Sequence, residues 1–431
     1  MSTTVQQAAA VQAVDEQQRY RWPVVTLFAL GMAIAYFDRV CLSIALPAMV
    51  AGGIALSDTQ QGIALGAFFW SYTALQIPSG VLVDRIGVRA PYLWGYLLWC
   101  VASAGTALTT TLGFLIAVRL LLGIGESVVT PAAHRYIRAH FQEKQRGNAI
   151  GLYMTGTKLG PALGFPITAY LVSQFGWQTM FVLMGLGGLI FLYPFLGWVK
   201  KDDPAALPRA RREAEKIESR SDRVSAWAIM RSPVMWGVIL GTFCYMYFVY
   251  YCITWMPIYF KREYNMSLTE IGWYTGFSFG GMSILIWLGG WAADWFIARG
   301  ADPVNVRKWF TIVGFTLAST QTISLLTDNL DVKLFFAVFS LAGLGLATAN
   351  YWALTQTLIP GGSIASVVGI QNTAANLAGI VAPTLTGWLI DRTGSFDAPI
   401  KWVGVWLVLG IAGYVFLVRR KYAPRFQAAS N

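Results

Sequence analysis

The chain's apolar residues are gathered into twelve runs, each long enough to cross a lipid bilayer as a helix, and no other feature constrains the fold as tightly. A hydrocarbon core about 30 Å thick needs roughly 20 apolar residues at helical rise. The runs lie at about 23–50, 58–83, 91–110, 112–139, 147–174, 177–199, 232–260, 268–298, 308–327, 334–359, 364–390 and 398–418. Strands of a membrane barrel are about 10 residues long and alternate in polarity. These runs are longer and continuously apolar, so the chain reads as an all-α polytopic membrane protein. Its composition agrees: 56% of residues are apolar and 12% charged, with mean hydropathy +0.52. Soluble domains carry about 25% charged residues. The first 18 residues are polar and show no short apolar segment with a small-residue cleavage site, so no cleavable leader is expected.

A net charge of +11 could signal nucleic-acid binding, but the placement of the charge argues otherwise. With twelve crossings both termini share one side. The loops and tails of that side hold 23 of the 32 Lys and Arg residues, against 5 on the other. This asymmetry is the positive-inside pattern. It predicts cytoplasmic termini, a cytoplasmic (inner) membrane location and no nucleic-acid partner. The four cysteines, Cys41, Cys100, Cys244 and Cys252, lie inside apolar runs without metal-type spacing and read as packing residues. No metal or bound cofactor is expected, and a monomer is.

A charged stretch divides the chain. It opens at Lys200-Lys201-Asp202-Asp203-Pro204 and separates six runs from six. The expected organisation is a tail at 1–22, a six-helix bundle at 23–199, a linker at 200–231 with a short surface helix near 208–219, a second six-helix bundle at 232–418, and a tail at 419–431. The halves echo each other. Gly80-Val81-Leu82-Val83-Asp84 ends the second run, and Gly290-Trp291-Ala292-Ala293-Asp294 ends the second run of the second half. Two pseudo-symmetric bundles of this kind place substrate between them near the bilayer midplane.

The ten residues Gly80–Arg89 resemble the loop 2–3 motif of the major facilitator superfamily. Tyr36-Phe37-Asp38-Arg39, Arg119 with Gly123-Ile124-Gly125-Glu126, Phe141–Gly147 and Trp255-Met256-Pro257 are similar to the anion:cation symporter family within it. That family includes bacterial sugar-acid and aromatic-acid permeases and the sialin and vesicular glutamate branch. The resemblance implies the twelve-helix major facilitator fold and transport by alternating access. It also implies gating roles for the loop-motif residues Asp84, Arg85 and Arg89.

Charges inside the membrane are the sharpest signal for function. Away from the ends of the runs, four basic residues, Arg39, Arg119, Arg135 and Lys158, and two acidic ones, Asp38 and Glu126, lie within the first half. From Leu334 to Ile390 there is no charged residue at all. A charge at the bilayer centre costs at least about 2.5 kcal/mol, so each needs a partner or a wet cavity. Arg39 can hold a carboxylate bidentately and stays charged throughout. Lys158 adds a point charge, and two cations suit a dianion. Asp38 and Glu126 can take up a proton: burial favours the neutral carboxyl, a nearby arginine the ionised one. Two other readings stand beside these. Asp38, Arg39, Arg119 and Glu126 can be static ion pairs, and Lys158 can be a counter-ion of Asp38 or Glu126. Resemblance assigns proton coupling to Asp38 and Glu126, anion binding to Arg39, and a matching arginine and tyrosine to Arg119 and Tyr72. Lys158 departs from the uncharged residues of the sugar-acid permeases. Arg135 and Asp294 are expected at gates. Tyr251, Trp255, Gln371, Asn372 and Asn376 are candidates for a neutral wall that meets hydroxyls or a ring.

The expected function is therefore proton-coupled import of a small organic anion: a sugar acid, an aromatic carboxylate or a dicarboxylate. An organophosphate or anion antiporter of the same superfamily is the alternative. A transporter-like receptor and an intramembrane enzyme are more remote. His134 and His140 are the only histidines, and no nucleophile–base pair or Gly-rich phosphate loop accompanies them.

Overall fold

The computed structural model describes residues 2–141, 143–200, 226–359 and 364–422. Its helices are α1 (Ser2–Ala51), α2 (Asp58–Ile86), α3 (Arg89–Gly105), α4 (Leu112–Glu126), α5 (Val129–His140), α6 (Glu143–Gly188), α7 (Leu192–Trp198), α8 (Ala226–Arg231), α9 (Pro233–Thr254), α10 (Met256–Tyr264), α11 (Leu268–Ala298), α12 (Pro303–Ser319), α13 (Leu330–Leu358), α14 (Ile364–Thr393) and α15 (Asp397–Ala412). Eight helical stretches have the length and apolarity of a membrane crossing. One of them, Gln145–Trp198, holds two crossings that turn at Gly176, whose φ of 80° suits a residue without Cβ. The crossing formed by α2 carries charge at both ends, and α3 and α12 reach full length through 3-10 turns. The fold is the expected twelve-helix arrangement in two bundles.

Three boundaries differ from the sequence expectation. The first helix runs back to Ser2, through a segment read as a tail; its Ala, Gln and Glu content favours helix. The fourth crossing is interrupted after Glu126, so that α4 and α5 are separate. The seventh is interrupted at Trp255, where Pro257 cannot donate to the Ile253 carbonyl. The helix expected near 208–219 falls outside the described residues.

Small residues decide how closely the crossings approach. Gly156, Gly160 and Gly164 form a stripe on α6 against Ala29, Ala33, Tyr36 and Phe37 of α1, where any Cβ would collide. Gly123 meets Phe68 and Ser71 of α2, and Gly125 meets Gly95 and Trp99 of α3. The Gly123-Ile124-Gly125 segment thus wedges α4 between α2 and α3 and carries Glu126 into the bundle centre.

The two bundles meet along α2 with α14 and along α6 with α11. Trp22 against Phe141, and Ser232 donating to the Tyr422 carbonyl, mark the side on which the described chain ends lie, called here the terminal side. On the far side the bundles are in contact. Gly62 faces Pro383, Gly387 faces Asp58 and Trp255, and Gly272 faces Ala169 and Pro166. Arg262 pairs with Asp58 across this seam. Asp391 of α14 accepts bonds from the Asp58 amide (3.0 Å), the Thr59 amide (2.8 Å) and the Ser57 hydroxyl (3.1 Å), so it caps the start of α2 from the opposite bundle. On the terminal side a Cβ at Gly80, Gly147 or Gly151 would meet open space.

Candidate functional site

Four of the deep charges, Asp38, Arg39, Arg119 and Glu126, come together in the N-terminal bundle, but in pairings the sequence did not specify. Arg39 donates to Glu126 Oε2 from both Nε (2.9 Å) and Nη2 (2.7 Å), with side chains 6% and 1% exposed. The other carboxylate oxygen, Oε1, is buried without a partner. Three rings surround the guanidinium: Tyr36, Phe68 and Tyr72 have centroids 4.4, 4.6 and 4.8 Å from its carbon. Such a cage stabilises a desolvated cation through the ring faces. Tyr72 stacks on Phe68 at 5.2 Å and so forms part of this wall.

Asp38 follows a different course. Consecutive helical residues diverge by about 100°, and Asp38 turns into α3 while Arg39 faces α4. Its carboxylate accepts a short bond from Trp99 Nε1 and one of 3.1 Å from Ser103 Oγ. Trp99 and Ser103 are site residues the sequence reading missed. They sit four apart on one face of α3, but nothing in the local sequence says which helix that face meets.

Arg119 is 3% exposed and makes no ion pair within 4 Å among the described residues. Its Nε is buried without a partner, and its guanidinium lies 5.8 Å from the Phe68 ring. Lys158, half-buried on α6, likewise has no hydrogen bond or ion pair among the described residues. The counter-ion reading of Lys158 needs a carboxylate beside it, and none lies within 4 Å. The static-pair reading finds one pair, Arg39 with Glu126; the pairing of Arg119 with Glu126 along α4 does not form.

The candidates of the C-terminal half separate. Asn372 donates to Gln76 Oε1 of α2 at 2.5 Å and so bridges the bundles. Asn376 is buried on the same helix. Gln371 is fully buried and donates to Thr242 and Thr355 of its own bundle, both at 3.1 Å. Tyr251 is buried beside Phe248 with its hydroxyl unpartnered, and Trp255 donates to the Pro383 carbonyl at 3.0 Å and packs edge-on to Phe396. These three support the bundle's interior. Among the aromatics, Tyr250 crosses the interface with its ring 4.5 Å from Phe69 of α2, and Phe279 of α11 stacks on Phe165 of α6 at 5.6 Å.

At the terminal side the two Gly-x3-Asp segments are used alike. Asp84 pairs with Arg135 at 3.2 Å and Asp294 with Arg307 at 3.0 Å, each within its own bundle, with the aspartates 75% and 69% exposed. The sequence pointed to contacts across a gate; here both pairs stay on one side of it. Arg89 donates to the Leu196 carbonyl at 3.2 Å, and Arg85 is exposed. The seal on the far side, formed by Asp58, Arg262 and Asp391, was not foreseen. Its partners lie more than 200 residues apart in the chain, although Ser57-Asp58-Thr59-Gln60 is legible as a helix-capping box.

Comparison with known proteins gives three results. The family model for the Major Facilitator Superfamily matches residues 28–383. An uncharacterized transporter of Bacillus subtilis, YybO, is 30% identical over 92% of this chain and 94% of its own length. A probable L-galactonate transporter of Escherichia coli is 29% identical over 95% and 92%, and a hexuronate transporter of B. subtilis 28% over 92% and 94%. Among solved structures, a bacterial homologue of the human lysosomal transporter Spinster, in an inward-facing conformation, superposes with a TM-score of 0.77 at 19% identity, covering 96% of this chain and 99% of that one.

Proposed function

We propose, from the premise that this chain belongs to the Major Facilitator Superfamily, that it imports a small organic anion, of the sugar-acid class, together with protons. The observation that carries this reading is the Arg39–Glu126 pair with a second buried cation, Arg119, outside any ion pair on the same helix as Glu126, and a half-buried Lys158 on α6 that is likewise unpaired among the described residues. Arg39 cannot hold Glu126 and a substrate carboxylate with the same two donors. A proton on Glu126 removes the charge that binds the guanidinium, and Arg39 is then free for the anion. Anion binding and proton loading become one event. Asp38, held by Trp99 and Ser103, is the second proton site. Lys158 faces the far end of the substrate, and relatives named for galactonate and hexuronate transport support an acid of that class.

In this reading the terminal side is cytoplasmic and the membrane the inner one, as the 23-to-5 distribution of basic residues favours. The protein acts as a monomer, with residues 23–199 and 232–418 as the bundles that rock about the anion. Asp84, Arg135 and Asp294 form the cytoplasmic gate. In proteoliposomes with an inward proton gradient, D-galactonate and hexuronates are expected to accumulate. Glu126→Gln abolishes accumulation while anion exchange continues. Undiminished accumulation in that variant removes Glu126 from coupling, and uptake that depends on internal phosphate instead of the gradient favours the antiporter.

A further inference from the structure

Gln76 is a polar residue inside the apolar run of α2 and takes no part in the charge network. It lies one turn from Tyr72, whose ring is 4.8 Å from the Arg39 guanidinium carbon, and residues four apart share a helix face. Its Oε1 accepts from Asn372 Nδ2 of α14 at 2.5 Å. Its Nε2 is buried without a partner, as is Oγ1 of Thr73, three residues earlier. The contact to Asn372 thus uses only the acceptor end of the amide, and the two donors on Nε2 stay unused. A donor shut away from water in this way costs about 1–3 kcal/mol until something accepts from it.

The register between α2 and α14 sets what can meet this amide. From the far side inward, the helices touch at Gly62 and Pro383, at Gly66 and Ile380, at Phe69 and Gly379, and then at Gln76 and Asn372. One turn further, a Cβ at Gly80 would meet open space. The amide pair therefore ends the seam where the crevice opens to the terminal side, next to the ring cage of Arg39. No charged residue lies between Leu334 and Ile390, so α14 offers only neutral groups here. An anion whose carboxylate rests on Arg39 lays its next carbons against the pair.

We propose that Gln76 reads a hydroxyl on the carbon chain of the transported anion: Nε2 donates to the hydroxyl oxygen, and Asn372 holds the amide in the orientation that presents it. This deepens the sugar-acid reading and rests on it. A carboxylate of the same length without hydroxyls gains nothing at Nε2, and a site that hydrogen-bonds a hydroxyl rejects the analogue lacking it. The buried cations cannot make that distinction, because both kinds of anion carry the same charge. Gln76 therefore selects polyhydroxylated carboxylates over plain ones.

Glucarate and adipate test this, since they are dicarboxylates of equal length that differ only in their hydroxyl groups, and both are dianions at about pH 7. Their dissociation constants are measured by calorimetry on the full chain in detergent. The parent is expected to bind glucarate at least about 10-fold more tightly than adipate. Gln76→Leu weakens glucarate about 10-fold, one neutral hydrogen bond's worth, and leaves adipate unchanged, which also shows that the variant is folded. Gln76→Met, which keeps the length of the side chain, gives the same result. Equal losses for both anions in both variants make the amide pair a tie between the bundles and overturn the proposal. Unchanged glucarate affinity in Gln76→Leu, or a parent that binds the two anions alike, overturns it while the anion-transport reading stands. A parent that binds neither glucarate nor galactonate overturns the sugar-acid reading and the proposal together.

Discussion

The two bundles bury polar groups in opposite ways. In the N-terminal bundle they are charged and incompletely matched: Glu126 Oε1 and Arg119 Nε have no partner, and Lys158 has none. In the C-terminal bundle they are neutral, and several are bonded within it. Gln371 is bonded to Thr242 and Thr355, Tyr245 to Thr348, and Asn350 to the Gly289 carbonyl, although Gln371 and Asn350 each keep a neutral amide oxygen buried without a partner. A matched neutral group holds a helix at modest net gain, about 1 kcal/mol. An unmatched buried charge is costly and keeps its capacity to bind. In the proposed reading, the N-terminal bundle binds the anion and exchanges the proton. The other is a scaffold that lends Tyr250 and Asn372 to the interface.

The comparison breaks most visibly at Arg39. Arg39→Lys leaves a charge but cannot reproduce the two-donor contact to Glu126 within the ring cage. Disrupting a buried pair costs about 3–5 kcal/mol, so transport per folded protein falls at least about 100-fold, since 1.4 kcal/mol is a factor of ten. Uptake within threefold of the parent removes Arg39 from the anion's path. Lys158→Gln is expected to cost about 10-fold in apparent affinity for a dianion such as glucarate, one charged hydrogen bond's worth, and less for monoanionic galactonate. Competition assays with both anions check it, and equal losses count against a second anion contact. The smallest effect is predicted on the other side. Gln371→Leu removes the amide between Thr242 and Thr355 and lowers the melting temperature in detergent, by about 1–2 kcal/mol of lost bonding, with KM unchanged. A large shift in KM or in substrate choice makes the C-terminal interior part of the site after all.

Residues 119, 123, 125 and 126 show how much of the site the sequence carries. Charge in an apolar run announces itself, so Asp38, Arg39, Arg119, Glu126 and Lys158 were all legible as functional candidates. Gly123 and Gly125 were legible only as part of a family resemblance, and the wedge they make between α2 and α3 comes from the packing. Partner choice was not legible: Arg119 and Glu126 are two turns apart on one helix face, and Glu126 nevertheless binds Arg39 of another helix. The polar and aromatic residues of the second half misled for the same reason. Gln371 and Asn372 are neighbours of similar chemistry, yet one faces its own bundle and the other Gln76.

What the sequence determined alone is what the solvent imposes. Lipid demands long apolar helices and confines basic residues to loops, and these demands act locally, so run length and charge placement suffice to read twelve crossings and two halves. The tertiary structure decided what depends on rotation and register between helices. It pairs Arg39 with Glu126, turns Asp38 to Trp99, leaves Lys158 open, and closes the far side through Asp391 on the start of α2. A turn of about 100° per residue separates one answer from the other, and only the packing of distant glycines and side chains fixes that angle.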